Sequence, residues 1–121
     1  MIRHLTGDPP GMAARATAAL GGEDDLLLTD LVLAECVYVL ESFYEVERPR
    51  VADLMRSAIG LRTIKTVDPA VLLRALEVYE LDRLDFAEAY LVAQAEVTGV
   101  NAILSFDRSI DRIDTVTRRE P

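Results

Sequence analysis

The stretch from Leu84 to Ile110 constrains the fold more than any other part of the sequence. It predicts a helix, then a glycine turn, then a short apolar strand that ends at a carboxylate. Asp85 stands at the start of the helical run as a candidate N-cap, and Gly99 stands where that helix would end. The residues Ala102–Leu104 are apolar and bounded by polar residues, as in a buried strand. This pattern is typical of an α/β sheet.

Carboxylates recur at positions where an α/β fold could bring them together. Glu88 follows Asp85 by three residues, so both face the same side of the predicted helix. Asp107 lies just past the strand, and ligands of open α/β sheets bind outside the carboxyl ends of strands. Glu35 is the only charged residue in the apolar stretch 31–40, where it is either a solvent-edge residue or a ligand group. Since Mg²⁺ and Mn²⁺ take oxygen ligands, a metal site and ordinary solvated carboxylates both remain open.

The rest of the chain continues the alternation of helices and strands. Thr29–Asp30 and Asp68–Pro69 are predicted helix starts, and Gly7–Gly11 is a predicted break. Alternating helices and strands predict an α/β sandwich with mostly parallel strands. The predicted helical segments are residues 1–5, 12–20, 31–44, 46–60, 70–79, 87–97 and 111–113, the predicted strands are residues 26–28, 63–67, 102–104 and 115–117, and residues 118–121 are a predicted frayed tail.

Length and charge limit the classes of function. The 121 residues predict one domain, residues 1–121, with a single core. No apolar run approaches the roughly 20 residues that cross a bilayer, and no signal peptide is visible, so no membrane partner is expected. A formal charge of −8 gives no general attraction to nucleic acid. Any RNA would therefore be held by local arginines, metal ions or a partner.

The scarcity of histidine and cysteine excludes several kinds of catalytic site. His4 is the only histidine, which argues against a Ser-His-Asp or Cys-His hydrolase and against a zinc site. Cys36, the only cysteine, lies within the apolar helix and is predicted to be part of the core. A single cysteine also suits a reducing cytoplasm, which is the expected location.

Four segments, in this order, carry a resemblance to a known family: LTGDPPGMAARA, LVLAECVYVLESFY, LDFAEAYLVAQA and ILSFDRSI. Together they resemble PIN-domain proteins, and most of all the VapC-type toxins, the ribonuclease half of bacterial toxin–antitoxin pairs. The resemblance covers nearly the whole chain. It implies a three-layer α/β/α sandwich around a mostly parallel sheet, with Mg²⁺- or Mn²⁺-dependent cleavage of RNA. It also implies a cognate antitoxin that blocks the toxin, and a homodimer.

The resemblance also implies which residues form the acidic site. Glu35, Glu88 and Asp107 match the family's catalytic carboxylates, although Glu88 stands where the family usually has the shorter aspartate. These three, with Asp85 as a further candidate, would bind the metal ion. Ser105 matches a nearby hydroxyl position of the family. Arg108 and Arg3 are candidate phosphate contacts, and the simpler interpretation of each is a surface charge.

One family segment is expected to be absent. In the family, a strand ending in Asp-Thr-Asn leads into a segment like MIRHLTGDPP, with which this sequence begins. The resemblance therefore implies a PIN-like fold without its first strand and without that strand's catalytic aspartate. Two hypotheses follow. The chain is an endoribonuclease of toxin type, nearly inactive until such a strand is restored, or it is a non-catalytic PIN-like module that binds an antitoxin or a like subunit.

Overall fold

The computed structural model describes residue 22 and residues 24–121. The predictions for residues 1–5, 7–11 and 12–20, for Arg3 and for an absent first strand lie outside the described residues. The chain divides into two compact units, Met1–Val67 and Asp68–Pro121. The expected single domain over residues 1–121 stays a prediction.

The described part of the first unit contains two helices and a pair of short parallel strands. In chain order these are β1 (Leu26–Leu27), α1 (Asp30–Ser42), α2 (Arg48–Ile59) and β2 (Ile64–Lys65). β1 pairs in parallel with β2, with Leu26 opposite Ile64. The unit's core includes side chains that are at most 1% exposed, namely Leu33, Val37, Leu40, Val51, Ala52 and Met55.

Helix α1 begins and packs as its sequence predicts. The hydroxyl of Thr29 accepts a hydrogen bond of 3.2 Å from the backbone N–H of Val32, which satisfies one of the first turn's free donors. The buried residues of α1 are Leu33, Cys36, Val37 and Leu40, a spacing that places them on one face. The predicted core position of Cys36 is therefore confirmed, and burial raises the pKa of its thiol.

The second unit pairs two helices with two strands. Its elements are α3 (Pro69–Leu81), α4 (Phe86–Thr98), β3 (Ala102–Leu104), a 3₁₀ helix (Arg108–Arg112) and β4 (Thr117–Arg119). Asp68 caps α3 through the backbone N–H of Val71 at 3.3 Å, as predicted. Gly99 ends α4 at φ 75°, a left-handed conformation that glycine adopts without steric strain.

Helices α3 and α4 pack against each other through an apolar seam and one ion pair. The rings of Tyr79 and Phe86 meet edge to face with their centroids 6.1 Å apart. Beside the seam, Arg74 of α3 donates to both carboxylate oxygens of Glu96 of α4, at 2.8 and 3.0 Å. Thr115 donates a further hydrogen bond to Glu96, which ties the chain before β4 to the same helix pair.

The strands of the second unit differ in detail from the prediction. β4 begins at Thr117, two residues later than predicted, because its register is set by β3, where Ala102 lies opposite Thr117. The predicted strand 102–104 is buried only at its middle residue, Ile103, because side chains of a strand alternate between faces. The predicted helical turn at 111–113 is a 3₁₀ helix that starts earlier, at Arg108, because Asp107 caps it.

The predicted frayed tail is wrong at Arg118 and Arg119, which both lie within β4. The side chain of Arg118 is 12% exposed. Charged residues near a chain end commonly remain solvated, but here hydrogen bonds to Asp111, Ser105 and Glu120 hold the guanidinium.

Both units combine helices with parallel strand pairs, which confirms the predicted α/β class. Within the part of the chain that the structure describes, no helix is long and apolar enough to cross a membrane.

Candidate acidic site

Asp107 lies where β3 leaves its sheet and the 3₁₀ helix begins. Its Oδ1 accepts two hydrogen bonds from Ser109, one from the backbone N–H at 2.9 Å and one from the hydroxyl at 2.7 Å. These two bonds lower the pKa of the Asp107 carboxyl, and the positive charges of Arg112 and Arg118 lower it further. Asp107 is therefore held ionised in a defined orientation, although much of its surroundings is solvent.

Ser105 connects the Asp107 loop to helix α4. The Ser105 hydroxyl accepts a hydrogen bond from the backbone N–H of Asp107 at 3.0 Å and donates one to Oε2 of Glu88 at 3.2 Å. One hydroxyl group thus bridges a loop and a helix that are 17 residues apart in the sequence. Within the second unit, Ser105 therefore contacts both the side chain of Glu88 and the backbone of Asp107, the two predicted carboxylate residues.

Asp85 and Glu88 lie at the start of α4, Asp85 as the N-cap residue and Glu88 in the first turn. Glu88 is half-buried, and Asp85 is exposed at the N-cap position. The predicted N-cap position of Asp85 is confirmed, but its side chain makes no capping hydrogen bond. The N-terminal end of a helix favours nearby negative charge, so both carboxylates lie where they are electrostatically tolerated.

Glu35 belongs to the first unit and lies on the solvent-exposed side of α1. Its neighbours at helical spacing, Leu31 and Tyr38, are each 70% exposed, and the buried face of α1 lies on another side. The exposure of Glu35 agrees with its predicted position at the solvent edge of the helix, and it also leaves the Glu35 carboxylate accessible to a ligand. The joint site of Glu35, Glu88 and Asp107 stays a prediction, and so do their catalytic and metal-binding roles.

The oxygen groups of the second unit fit a hard divalent cation in their chemistry. Mg²⁺ commonly takes only one or two carboxylates and completes its shell with water. The hydrogen bonds described above engage one oxygen each of Glu88 and Asp107, so they orient these carboxylates without occupying the whole group. Among the described residues of either unit, no group of three or more His, Cys, Asp or Glu side chains is placed to hold a metal ion.

Arg108 is exposed beside Asp107, where a phosphate could reach it. Two other residues near Asp107, Ser109 and Arg118, were not predicted from the sequence. Ser109 sets the orientation of Asp107, and the Asp-x-Ser spacing that precedes a short helix could have indicated this local cap. Arg118 holds the Ser105 backbone, and no local pattern indicates that contact because it depends on the β3–β4 pairing.

An α/β fold with parallel strands and carboxylates at a strand end defines a class of proteins that bind ligands at the sheet edge. Comparison with known proteins narrows the class. The family model of the PIN domain matches residues 1–116. The chain belongs to the PIN-domain family, whose members are nuclease-like modules that generally use divalent metal ions. No curated protein and no solved structure matches the chain.

Proposed function

We propose that this protein is a metal-dependent endoribonuclease of toxin–antitoxin type that acts in the cytoplasm. The observation that carries the proposal is the Ser105 hydroxyl, which contacts both Glu88 and the backbone of Asp107 at the end of β3. Membership of the PIN-domain family supports a nuclease-like activity. VapC-type function is the finer inference, and it rests on the four sequence segments that resemble those toxins.

The residues have distinct roles in this proposal. Glu35, Glu88 and Asp107 would hold Mg²⁺ or Mn²⁺, with Asp85 at the rim of the site. When bound, the ion supplies an activated water and offsets negative charge at the phosphodiester. Ser109 keeps the Asp107 carboxylate ionised and oriented. The expected substrate contacts are Ser105 and the exposed Arg108.

Cleavage of a labelled single-stranded RNA tests the proposal. The 121-residue chain and a form extended by an N-terminal strand ending in Asp-Thr-Asn are assayed with Mg²⁺, with Mn²⁺ and with a chelator. The variants Glu35→Gln, Glu88→Gln and Asp107→Asn are made in the extended form. Each variant removes one negative charge and nearly preserves side-chain shape. Asp114→Asn is the matched control, because Asp114 is an exposed aspartate of the second unit. We expect metal-dependent cleavage by the extended form, which the three variants lose and the control keeps, and much weaker cleavage by the 121-residue chain. Equal cleavage by all four variants would exclude the proposed site.

Protein partners form the second part of the proposal. Large apolar side chains are exposed on and just after α1, including Leu31, Tyr38 and Phe43, the last of these 75% exposed. Exposed apolar patches often mark contacts with other proteins. A surface of this kind supports a homodimer or a complex with a cognate antitoxin. Sedimentation of the chain alone should show a dimer at high concentration, and Tyr38→Ser should weaken it. A strict monomer would count against the homodimer.

A purely binding role is the alternative to catalysis. In that case the exposed apolar surface of α1 would still engage a partner, but neither Mg²⁺ nor Mn²⁺ would support RNA cleavage. The cleavage and sedimentation measurements therefore separate the two functions. Association without metal-dependent cleavage would favour the non-catalytic module.

A further inference from the structure

Arg118 is the most fully engaged arginine side chain near the candidate site. Its Nε and Nη2 donate to the two carboxylate oxygens of Asp111, at 3.1 and 3.3 Å. This two-pronged contact links β4 to the 3₁₀ helix that Asp107 caps. The planar guanidinium is suited to such a contact, which a lysine cannot reproduce with both prongs.

The remaining donor group of Arg118 reaches the backbone of the site. Its Nη1 donates to the carbonyl oxygen of Ser105 at 3.2 Å and to Oε1 of Glu120 at 3.0 Å. The next residue holds the other side of the same position, because the backbone N–H of Ser105 donates to the carbonyl oxygen of Arg119 at 3.0 Å. Both backbone polar groups of Ser105 are therefore fixed by β4.

A fixed Ser105 backbone determines where its hydroxyl lies. That hydroxyl contacts Oε2 of Glu88 and the backbone N–H of Asp107. A shift of the Ser105 backbone would therefore change the separation of the two carboxylates and the start of the 3₁₀ helix. Outer residues of this kind can change metal affinity or activity by about 10- to 100-fold when they are replaced.

We propose that Arg118 is a positioning residue that holds Ser105, and through Ser105 the carboxylates of Glu88 and Asp107, in the arrangement that binds the metal ion. The inference rests on the proposed function. A direct contact with substrate phosphate fits Arg118 less well, because its side chain is 12% exposed and its donors are engaged by Asp111, Ser105 and Glu120. Arg119 differs in that its residue is exposed.

The test compares Arg118→Lys with Arg119→Lys in the full chain extended by an N-terminal strand ending in Asp-Thr-Asn. Both substitutions keep the charge, but only the first removes the two-pronged contact. Three quantities are measured: Mn²⁺ affinity by electron paramagnetic resonance, amide hydrogen exchange at Ser105 and Asp107, and kcat and KM for a labelled single-stranded RNA. Asp111→Asn provides a second route to the same contact, because it weakens the acceptor and leaves Arg118 in place.

For Arg118→Lys we expect Mn²⁺ affinity and kcat to fall by about 10-fold or more. The KM for RNA should rise by a smaller factor than that by which kcat falls, since Arg108 is unchanged and only the Ser105 contact shifts. Exchange at Ser105 and Asp107 should become faster. Asp111→Asn should give smaller changes in the same direction, and Arg119→Lys should match the unmodified protein. If Arg118→Lys does not fold, as judged by circular dichroism, Asp111→Asn decides the question alone.

The outcomes separate this inference from the proposed function. A protein that neither binds Mn²⁺ nor cleaves RNA, even with the N-terminal strand restored, would refute the function itself. A protein that does both, with exchange at Ser105 and Mn²⁺ affinity unchanged in Arg118→Lys and Asp111→Asn, would refute the positioning role alone. A rise in KM without a loss of kcat or Mn²⁺ affinity would instead make Arg118 a substrate contact, and would also overturn the inference.

Discussion

Asp107 has a structural role and a proposed catalytic role, and two substitutions can separate them. Its Oδ1 caps the 3₁₀ helix through the backbone N–H and the hydroxyl of Ser109. Asparagine retains an oxygen at the same position but has no charge, whereas alanine removes the cap as well. Asp107→Asn therefore tests the charge, and Asp107→Ala tests the charge and the cap together.

The expected stability changes are modest because Asp107 is partly solvated. Loss of an N-cap side chain typically costs about 1 kcal/mol of unfolding free energy. For a chain of this size, that amounts to a fall of about 4 °C in Tm. Asp107→Ala should reach about this value, and Asp107→Asn should lose only about half as much, since a neutral acceptor forms weaker hydrogen bonds than a charged one. Cleavage and Mn²⁺ binding should be lost in both.

The stability difference should also depend on pH. Because hydrogen bonds from Ser109 lower the folded-state pKa of Asp107, their extra stabilisation is present above the ordinary aspartate pKa of about 3.9 and is lost as pH falls through the lowered value. The difference in Tm between the unmodified protein and Asp107→Asn should therefore shrink from pH 7 to pH 3. Thermal melting by circular dichroism at both values measures it.

Ser109→Ala is the matched control for Asp107. It removes the hydroxyl donor but leaves the carboxylate and the backbone N–H, so it should lose about 0.5–1 kcal/mol of stability. Cleavage should fall without being lost, because the backbone N–H of Ser109 still holds the Asp107 carboxylate. The reasoning would be refuted if Asp107→Asn kept full metal-dependent cleavage, or if Ser109→Ala abolished cleavage while the protein stayed folded.

Two further predictions concern the ion pair between α3 and α4 and the buried cysteine of α1. Glu96→Gln should lower the unfolding free energy by about 1 kcal/mol, because it weakens the two-pronged bond from the partly exposed Arg74. Glu77 lies on the more exposed side of Arg74, so Glu77→Gln should change the unfolding free energy by less than about 0.5 kcal/mol. Urea denaturation measures both changes, and equal effects of the two variants would show that Glu96 has no special role. Arg74 is the chief cause of the lowered pKa of Glu96, so the difference between Glu96→Gln and the unmodified protein should be lost at strongly acid pH. Cys36, buried and with a raised thiol pKa, should react with iodoacetamide at pH 7 much more slowly than in urea, as mass spectrometry would detect, and equal rates would contradict the buried position.

Local chemistry was sufficient to predict three helix boundaries, but other helix ends and the strand register were predicted less well. Thr29, Asp68 and Gly99 act through neighbours within a few residues, so their roles are visible in the sequence. The β-branched residues before Thr117 favoured an earlier strand, yet pairing with β3 shifts β4 toward the chain end. Local propensity for strands is easily overridden by such pairing.

The candidate site was predictable as a set of residue types and not as a set of contacts. The positions of Glu88 and Asp107, at a helix start and a strand exit, follow from the pattern of apolar and acidic residues. The contact of Ser105 with Glu88 spans 17 residues and depends on how β3 lies against α4. Arg118 was misjudged for the same reason, since its partners become neighbours only after folding.

The central proposal is that Glu35, Glu88 and Asp107 bind one metal ion together. Titration of the ¹⁵N-labelled protein with Mn²⁺ tests it directly, because the ion broadens the amide signals of nearby residues. We predict that signals around all three residues broaden at the same low Mn²⁺ concentration, and that Asp107→Asn reduces the effect at all three. Broadening around Glu88 and Asp107 with none around Glu35, or no broadening at any of them, would contradict the claim.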